Sequence, residues 1–196
     1  MVALEIILFC SPTMQPIIKN LKASFEAKYP VLRFIIIFAT LMGAFYFLYL
    51  SPFFVNTLAP RYLRFDAEVS AVILNWLGQN VNVIDTNVVS SRFSITIKRG
   101  CDAIEPTALF LCAIIAFSAP FWLKIRGIII GALFLLTLNF IRIISLFFAG
   151  IYYPQAFHIL HTEIWQLVFI LLAMLFFIVW LLWVIRHEKG QLNANR

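Results

Sequence analysis

GIIIGALFLLTLNFIRIISLFF, residues 127–148, is an apolar stretch that holds a single charged residue, Arg142. An α-helix rises about 1.5 Å per residue, so these residues form a helix about 33 Å long. That length matches the roughly 30 Å thickness of the hydrocarbon core of a bilayer. The stretch therefore predicts a transmembrane helix, and the arginine inside it calls for a physical explanation.

Three further apolar stretches occupy residues 32–50, 103–119 and 164–185, of which the second is short. Of the whole chain, 63% of residues are hydrophobic and 12% are charged, whereas about half apolar is typical of soluble proteins. We therefore expect an all-α polytopic membrane protein with about four transmembrane helices. Residues 32–185 are expected to form one membrane-embedded domain, between an N-terminal segment (1–31) and a C-terminal tail (186–196).

The lysines and arginines indicate the orientation of these helices. Nine flank the expected spans on one side: Lys19, Lys22, Lys28, Arg33, Lys124, Arg126, Arg186, Lys189 and Arg196. The other side has five, all within one long loop, residues 51–100. Because basic residues near short loops mark the cytoplasmic side, both termini are expected in the cytoplasm, and the long loop outside the inner membrane. This topology explains the net charge of +6, so nucleic acid is not an expected partner.

The long loop has predicted structure of its own. Its first half shows the three- and four-residue spacing of an amphipathic helix, which we expect to lie in the outer membrane interface. The expected apolar face is Tyr62, Phe65, Val69, Val72, Ile73 and Trp76, and the polar face is Arg61, Arg64, Asp66, Glu68 and Asn75. Residues 93–98 then alternate between apolar and polar, as a half-exposed strand does. We expect this strand to pair with Val81 and Val83 around a turn at residues 85–87, forming a small β-hairpin.

The topology brings three chemically distinctive residues to one depth. Cys101 directly precedes the second span, which enters from outside, and His161 directly precedes the fourth span, which does the same. Arg142 lies in the third span, about six residues below its outer end. The assignment of the spans did not use these residue types. Their convergence near the outer face therefore predicts one thiol-based site there.

Cys101 lies where a thiol can become a nucleophile. The start of a helix favours the thiolate, so we expect the pKa of Cys101 to be lowered. Gly100 permits a tight turn before it, and Asp102 and Glu105 fit the first turn of the following helix. The alternative is a cysteine that lies at the membrane interface by chance. Cys112, within the span, is expected to be a small buried hydrophobe.

Arg142 is the strongest single clue. An arginine near the bilayer centre costs roughly 2.5 kcal/mol or more, so such a residue normally faces protein or water and has a partner. Asn139, one turn earlier, shares its face and is expected to anchor the guanidinium. The alternative is snorkelling, because six residues correspond to only about 9 Å of helix.

A histidine near Cys101 can supply the base that a thiol nucleophile needs. His161 is the expected base, and His158, three residues earlier, competes for the role. Glu163 is expected to orient one of the two rings or to favour the start of the helix. The two histidines and the cysteine can also be drawn as a metal site, but their spacing matches no metal motif. We therefore expect no metal.

Together these residues resemble a known family, the exosortases and archaeosortases, which are membrane-embedded cysteine transpeptidases. The matching parts are Cys101 after a predicted strand, the run Asn139-Phe140-Ile141-Arg142 in an outward-going helix, and His161 at the start of the last helix. The run RGCDAIEP, residues 99–106, looks most like the short exosortase H type. Many members have Ser-Gly directly after the cysteine and about eight spans, whereas this chain has Asp-Ala and about four.

The resemblance implies that Cys101 is the nucleophile, Arg142 stabilises an oxyanion or thiolate, and His161 is the general acid/base. Residues 32–185 would then be a single catalytic domain, with its active site facing the periplasm. It would cleave the C-terminal sorting signals of secreted proteins through a thioester and transfer them to an envelope acceptor.

The partners implied are secreted proteins with a short C-terminal motif of the PEP-CTERM kind, a hydrophobic helix and a basic tail, together with membrane lipid. No cofactor is implied. Two alternatives remain. One is a membrane thiol protease or acyltransferase without transfer. The other is a non-enzymatic scaffold or lipid-binding subunit of an envelope export system.

Overall fold

The computed structural model describes residues 14–194, with side chains described over 29–190. Residues 1–13 and 195–196 of the two expected cytoplasmic segments lie outside the described residues. The helices are α1 (Met14–Tyr49), α2 (Ala59–Trp76), α3 (Ile104–Ala116), α4 (Phe121–Tyr152), α5 (Pro154–Ile159) and α6 (Trp165–Ala194). Two π-helical turns, Phe54–Leu58 and Leu160–Ile164, precede α2 and α6. The strands are β1 (Asn82–Ile84), β2 (Asn87–Val89) and β3 (Ser94–Thr96).

The expected fold class, an all-α polytopic membrane protein, is confirmed. Within the described residues, three helical stretches are long and apolar enough to cross a membrane: Tyr29–Tyr49, Phe121–Tyr152 and Pro154–Gly190. The second expected span is shorter than predicted, because α3 has 13 residues, which is about 20 Å of helix. It contacts α1, α4 and α6, so α3 is the central helix of the bundle.

Side chains around α3 form the core of this bundle. Phe110 of α3, Leu135 of α4 and Phe169 of α6 are each at most 2% exposed. Trp180 is buried near the start of α4, where its indole N–H donates to the carbonyl oxygen of Leu123 over 3.1 Å. The opposite faces of the long helices leave large apolar side chains exposed, as a surface in contact with lipid tails requires.

The helix expected in the long loop is present as α2, and it packs on the protein through a face that we did not predict. The buried residues are mostly small: Ala59, Leu63, Asp66, Ala67, Ser70, Ala71 and Leu74. Large side chains such as Phe65 and Trp76 are exposed, Trp76 by 83%. Lipid tails accept large apolar side chains, whereas close helix packing in a membrane favours small ones. Asp66, which we expected on the polar face, is only 1% exposed.

The expected β-hairpin is a three-stranded antiparallel sheet in the order β1-β2-β3. The expected pairing of Val83 with the 93–98 strand is wrong, because β2 lies between them. Val83 pairs with Val88, and Val88 pairs with Ile95. The turn takes only two residues, the first of which is Asp85 with a φ of 56°. Such a tight turn is common in hairpins and leaves Asn87 free to begin another strand.

The sheet and α2 form a second hydrophobic core with the last turns of α4. Leu74, Val88 and Phe147 are fully buried in it. Helix α4 therefore runs through both cores, with Leu138 in the core of the bundle and Ile143 in the second core. Asn139 and Arg142 lie between these two residues. The candidate site is thus at the boundary of the two cores.

Gly150 of α4 provides a test of how the sheet is docked. The ring of Phe93 lies against this glycine, and a Cβ atom there would overlap it. We expect Gly150→Ala to lower the midpoint of thermal unfolding in detergent by several degrees, because overpacking costs roughly 1–3 kcal/mol. Gly43→Ala, where a Cβ would meet nothing within 4 Å, is the control. Equal midpoints for the two variants would contradict this packing.

Candidate active site

The turn that carries Cys101 connects β3 to α3. The Cys101 N–H donates to the carbonyl oxygen of Lys98 over 2.9 Å. Gly100 has a φ of 86°, a left-handed conformation that glycine adopts without strain, so the expected tight turn is present. The Cys101 side chain is half-buried, and its Sγ lies 3.3 Å from Nε2 of His161. The thiol and the imidazole are therefore within hydrogen-bond reach.

His161 lies in the π-helical turn Leu160–Ile164, at the point where α5 passes into α6. Single π-helical turns are rare and are frequent at functional sites. The ring of His161 stacks on the ring of Phe157, with centroids 5.8 Å apart and planes inclined by 9°. This stacking fixes the orientation of the imidazole, and its Nδ1 is 3.8 Å from the sulfur.

Two other residues that we expected to act at this site, His158 and Glu163, are exposed. Within residues 29–190 the hydrogen bonds of the Cys101 side chain lead to His161 and Arg142. Among the described hydrogen bonds, none joins Glu163 to either ring, so the expectation that it orients a histidine is not met.

Arg142 points into the protein. It is 6% exposed, which excludes snorkelling toward the interface. Its Nη2 donates to the carbonyl oxygen of His161 over 3.4 Å and lies 3.9 Å from Sγ of Cys101. The guanidinium also lies over the ring of Phe169, 5.6 Å from its centroid. The three residues that the topology predicted to converge are thus in contact.

The guanidinium of Arg142 has a hydrogen-bond donor that is not used. Its Nε is buried without a hydrogen-bond partner. Within residues 29–190 no carboxylate lies within ion-pair distance of it, since the pair found there is the exposed Arg64–Glu68. A buried cation with unused donors is able to stabilise negative charge that develops on a bound group.

Asn139 does not anchor Arg142, and the expectation that it does is wrong. Its Nδ2 donates to Oδ2 of Asp66 over 3.2 Å, and both residues are 1% exposed. The two residues on this face of α4 therefore have separate partners, because α2 brings a carboxylate to one of them. Burial, together with the nearby negative charge of Asp102, raises the pKa of Asp66 to about 7.

Asp102 supports the turn of the cysteine. Its Oδ1 accepts the N–H of Ile104, the first residue of α3, over 3.4 Å. Its carbonyl oxygen accepts the hydroxyl of Tyr62 over 3.2 Å, which fastens the turn to α2. Asp102 is 1% exposed, and burial raises its pKa. We expected Asp102 in the first turn of α3, but it lies just before the helix, which begins at Ile104.

The pKa of the Cys101 thiol is raised, whereas we expected it to be lowered. Helix α3 begins at Ile104, three residues after the cysteine. Burial raises the pKa of Cys101, and the positive charge of Arg142 only offsets part of that effect. The resting thiol is therefore neutral, and reaction requires a base that removes its proton. His161 is in position to do so.

Two clefts reach these residues. The first, which we call the membrane cleft, has a volume of about 290 Å³ and lies between α1, α3 and α6. Its walls include Met42, Gly100, Glu105, Leu109, Arg142 and Gln166. The second, which we call the strand groove, has a volume of about 400 Å³ and lies between β3 and α5. Its walls include Ser94, Thr96, Lys98, Pro154, Phe157 and His161.

Sequence reasoning missed several residues of this site, among them Asp66, Tyr62, Phe157 and Phe169. A signal for Asp66 was present. Small residues recur around it at three- and four-residue spacing, which is typical of a helix face packed closely against another helix in a membrane. For Phe157 and Phe169 there was no such signal, since both lie among many phenylalanines of the last helices.

The fold and the site together define a polytopic membrane protein with a half-buried cysteine, a half-buried histidine and a buried arginine near one end of its helical bundle. The family model described as transmembrane exosortase (Exosortase_EpsH) matches residues 30–179, which is more than half of the chain. The chain belongs to this family, so the family resemblance is confirmed. No curated protein and no solved structure matches it.

Asp66 predicts a dependence of stability on pH. Its pKa is about 7 in the folded protein, against the usual value of 3.8. The folded state therefore binds more protons than the unfolded state between these values, so stability falls as pH rises from about 4 to 7. We expect Asp66→Asn to reduce this fall, measured as the unfolding midpoint at pH 5 and pH 8.

Glu68→Gln removes an exposed carboxylate from the same helix and serves as the control, with the pH dependence expected to equal that of the wild type. Asp102, whose raised pKa acts in the same direction, remains in both variants. If Asp66→Asn and Glu68→Gln had the same pH dependence, Asp66 would not be the buried acid described above.

Proposed function

We propose that this exosortase is a cysteine transpeptidase that cleaves C-terminal sorting signals of secreted proteins. The released polypeptide would pass through a thioester on Cys101 to an acceptor in the cell envelope. One observation carries the proposal. The imidazole of His161 and the buried guanidinium of Arg142 both lie within 3.9 Å of Sγ of Cys101.

The first step follows from the neutral thiol. His161 accepts the thiol proton at Nε2, which requires that its own proton is on Nδ1. Sγ attacks the carbonyl carbon of the scissile peptide bond, and a C–S bond forms while the carbonyl oxygen gains negative charge. The guanidinium of Arg142 stabilises this oxyanion in a site largely shielded from water, where such stabilisation is strong.

The second step splits the peptide bond. The protonated His161 returns its proton to the leaving amine, and the C–N bond breaks, leaving the thioester. An acceptor nucleophile, such as an amine or hydroxyl of the envelope, then attacks the thioester carbonyl carbon. His161 takes the proton of this nucleophile, and the sulfur leaves as a thiolate that recovers a proton. The enzyme is restored and the polypeptide is attached to the acceptor.

The two clefts provide room for a substrate with two different parts. The membrane cleft has apolar walls from α1, α3 and α6, such as Met42, Leu109 and Ile170, beside its polar residues, and these suit the hydrophobic part of a sorting signal. The strand groove is lined by His161. In this proposal the site faces the periplasm, the chain spans the inner membrane and both termini are cytoplasmic.

The nucleophile is tested by substitution of each described cysteine. We expect Cys101→Ala to abolish cleavage of a substrate protein that has a C-terminal hydrophobic helix and a basic tail, because the sulfur that forms the thioester is removed. Cys112→Ala, a change at the buried cysteine of α3, is the matched control and is expected to cleave. The mass of the new C-terminus distinguishes transfer from hydrolysis, since hydrolysis leaves a free carboxylate. Cleavage by Cys101→Ala would refute the mechanism.

Arg142 distinguishes catalysis from lipid binding by a scaffold. Loss of one oxyanion donor lowers kcat by about 10²- to 10³-fold. We expect Arg142→Lys to show a loss of this size, because a lysine is a point charge on a different stem and cannot keep both the contact to the His161 carbonyl and the contact to the thiol. The measurement is the rate of substrate cleavage in membranes at equal protein levels. An Arg142→Lys protein that retained wild-type rates would favour a head-group-binding role instead.

A further inference from the structure

The edge of the small sheet next to the active site is open. In the ladder between β2 and β3, Ser90 N–H donates to Phe93 O, and Ile97 N–H donates to Thr86 O, each over 3.0 Å. Backbone groups of an antiparallel pair alternate between the partner strand and the outside. Phe93, Ile95 and Ile97 therefore direct their backbone groups toward β2. The N–H and C=O groups of the residues between them, Ser94 and Thr96, point away from the sheet.

No other strand of residues 14–194 pairs with this edge, since the sheet ends at β3. Open edges attract other chains, and proteins usually protect them with a proline, an inward-pointing charge or a covering element. The three residues of β3, Ser94, Ile95 and Thr96, include none of these protective side chains. The edge instead lines the strand groove, whose far wall is made by Pro154 and Phe157 of α5.

The groove is continuous with the reacting atoms. His161 lines the groove, and its Nε2 is 3.3 Å from the sulfur of Cys101. The same strand leads through the turn at Gly100 to that sulfur. A polypeptide lying along the edge of β3 therefore reaches the thiol of Cys101.

We infer that the open edge of β3 binds the polypeptide substrate as an added strand. The residues that precede the scissile bond would form hydrogen bonds with the backbone of Ser94 and Thr96. This inference rests on the proposed transpeptidase function and specifies how its substrate is held. Strand addition obtains affinity from main-chain hydrogen bonds, and alternate side chains then provide selectivity. It also sets an extended peptide at a defined register, which is what positioning a carbonyl carbon beside Sγ requires.

The direction of the added strand follows from the two clefts. A substrate that runs from the groove past Cys101 and continues as a helix in the membrane cleft travels in the same direction as β3. The added strand is therefore parallel to β3. The substrate residue next to Ser94 lies about two positions further from the scissile bond than the residue next to Thr96.

Photo-cross-linking in the full-length Cys101→Ala protein tests the inference without depending on turnover. A photoreactive phenylalanine derivative would replace Ser94 or Thr96, with the substrate protein described above present in the same membranes. Asn82, an exposed residue of β1 at the opposite edge, is the matched control. Leu109, in the membrane cleft, reports whether the substrate is engaged at all.

We expect cross-links to the substrate from 94, 96 and 109 and none from 82. The residue reached from 94 should precede the residue reached from 96 along the substrate. Cross-links from 109 alone would overturn strand addition while leaving the proposed function intact. Cross-links from none of these positions would overturn both. Cross-links from 94 and 96 to a second copy of the enzyme would assign the edge to self-association and overturn the inference.

A backbone substitution provides a second measurement. Thr96→Pro removes an N–H that points away from β2, so the ladder stays intact, as edge strands allow. We expect a loss of cleavage of roughly tenfold, the effect of one lost hydrogen bond. Alkylation of Cys101 by a small maleimide should continue and shows that the site is folded. Thr96→Val loses the side-chain bond to Asn87 but keeps the N–H, so its loss should be smaller. Wild-type cleavage by Thr96→Pro would contradict the inference.

Discussion

The burial of one guanidinium is the constraint on which the rest of this structure depends. A charged side chain inside a membrane helix is costly unless the protein gives it partners. Arg142 obtains them from the carbonyl oxygen of His161, the ring of Phe169 and the sulfur of Cys101. These partners come from two separate parts of the chain, so the arginine reaches them only when α4, the segment from His161 to Phe169 and the turn before α3 are assembled. Its position at the boundary of the two hydrophobic cores places a buried cation beside the thiol and the imidazole.

The electrostatics of the boundary explain why a base is needed beside the thiol. Burial acts on every ionisable group there and favours its neutral form. The pKa of Cys101 and the pKa values of both buried carboxyl groups, on Asp66 and Asp102, are therefore raised. A neutral thiol is a poor nucleophile, so its activation must coincide with proton transfer to His161. In the proposed mechanism the arginine acts on the charge that forms during the reaction, because no carboxylate of residues 29–190 lies within ion-pair distance of it.

Much of this arrangement could be predicted from the sequence, and the failures have physical causes. The alternating spans were enough to bring Cys101, Arg142 and His161 to one depth, because hydropathy identifies the spans. Topology does not determine which way a helix is rotated. Asp66 was therefore placed on the wrong face of α2, and its partner Asn139 was assigned to Arg142. Strand β2 was missed because its residues, Asn-Val-Val, do not alternate between apolar and polar. The lowered pKa expected for Cys101 was wrong because burial of the thiol, which the sequence does not reveal, raises it.

The proposed mechanism requires that Cys101 form a covalent bond with its substrate at this boundary. The most direct measurement is the intact mass of the protein after incubation with a substrate protein and rapid acid quenching, followed by peptide mapping. We expect an added mass equal to the part of the substrate that precedes its hydrophobic helix. The added mass should lie on the peptide that contains Cys101 and should be released by hydroxylamine, as a thioester is. Substrate cleavage without any such adduct, or an adduct on another residue that still leads to product, would contradict the account.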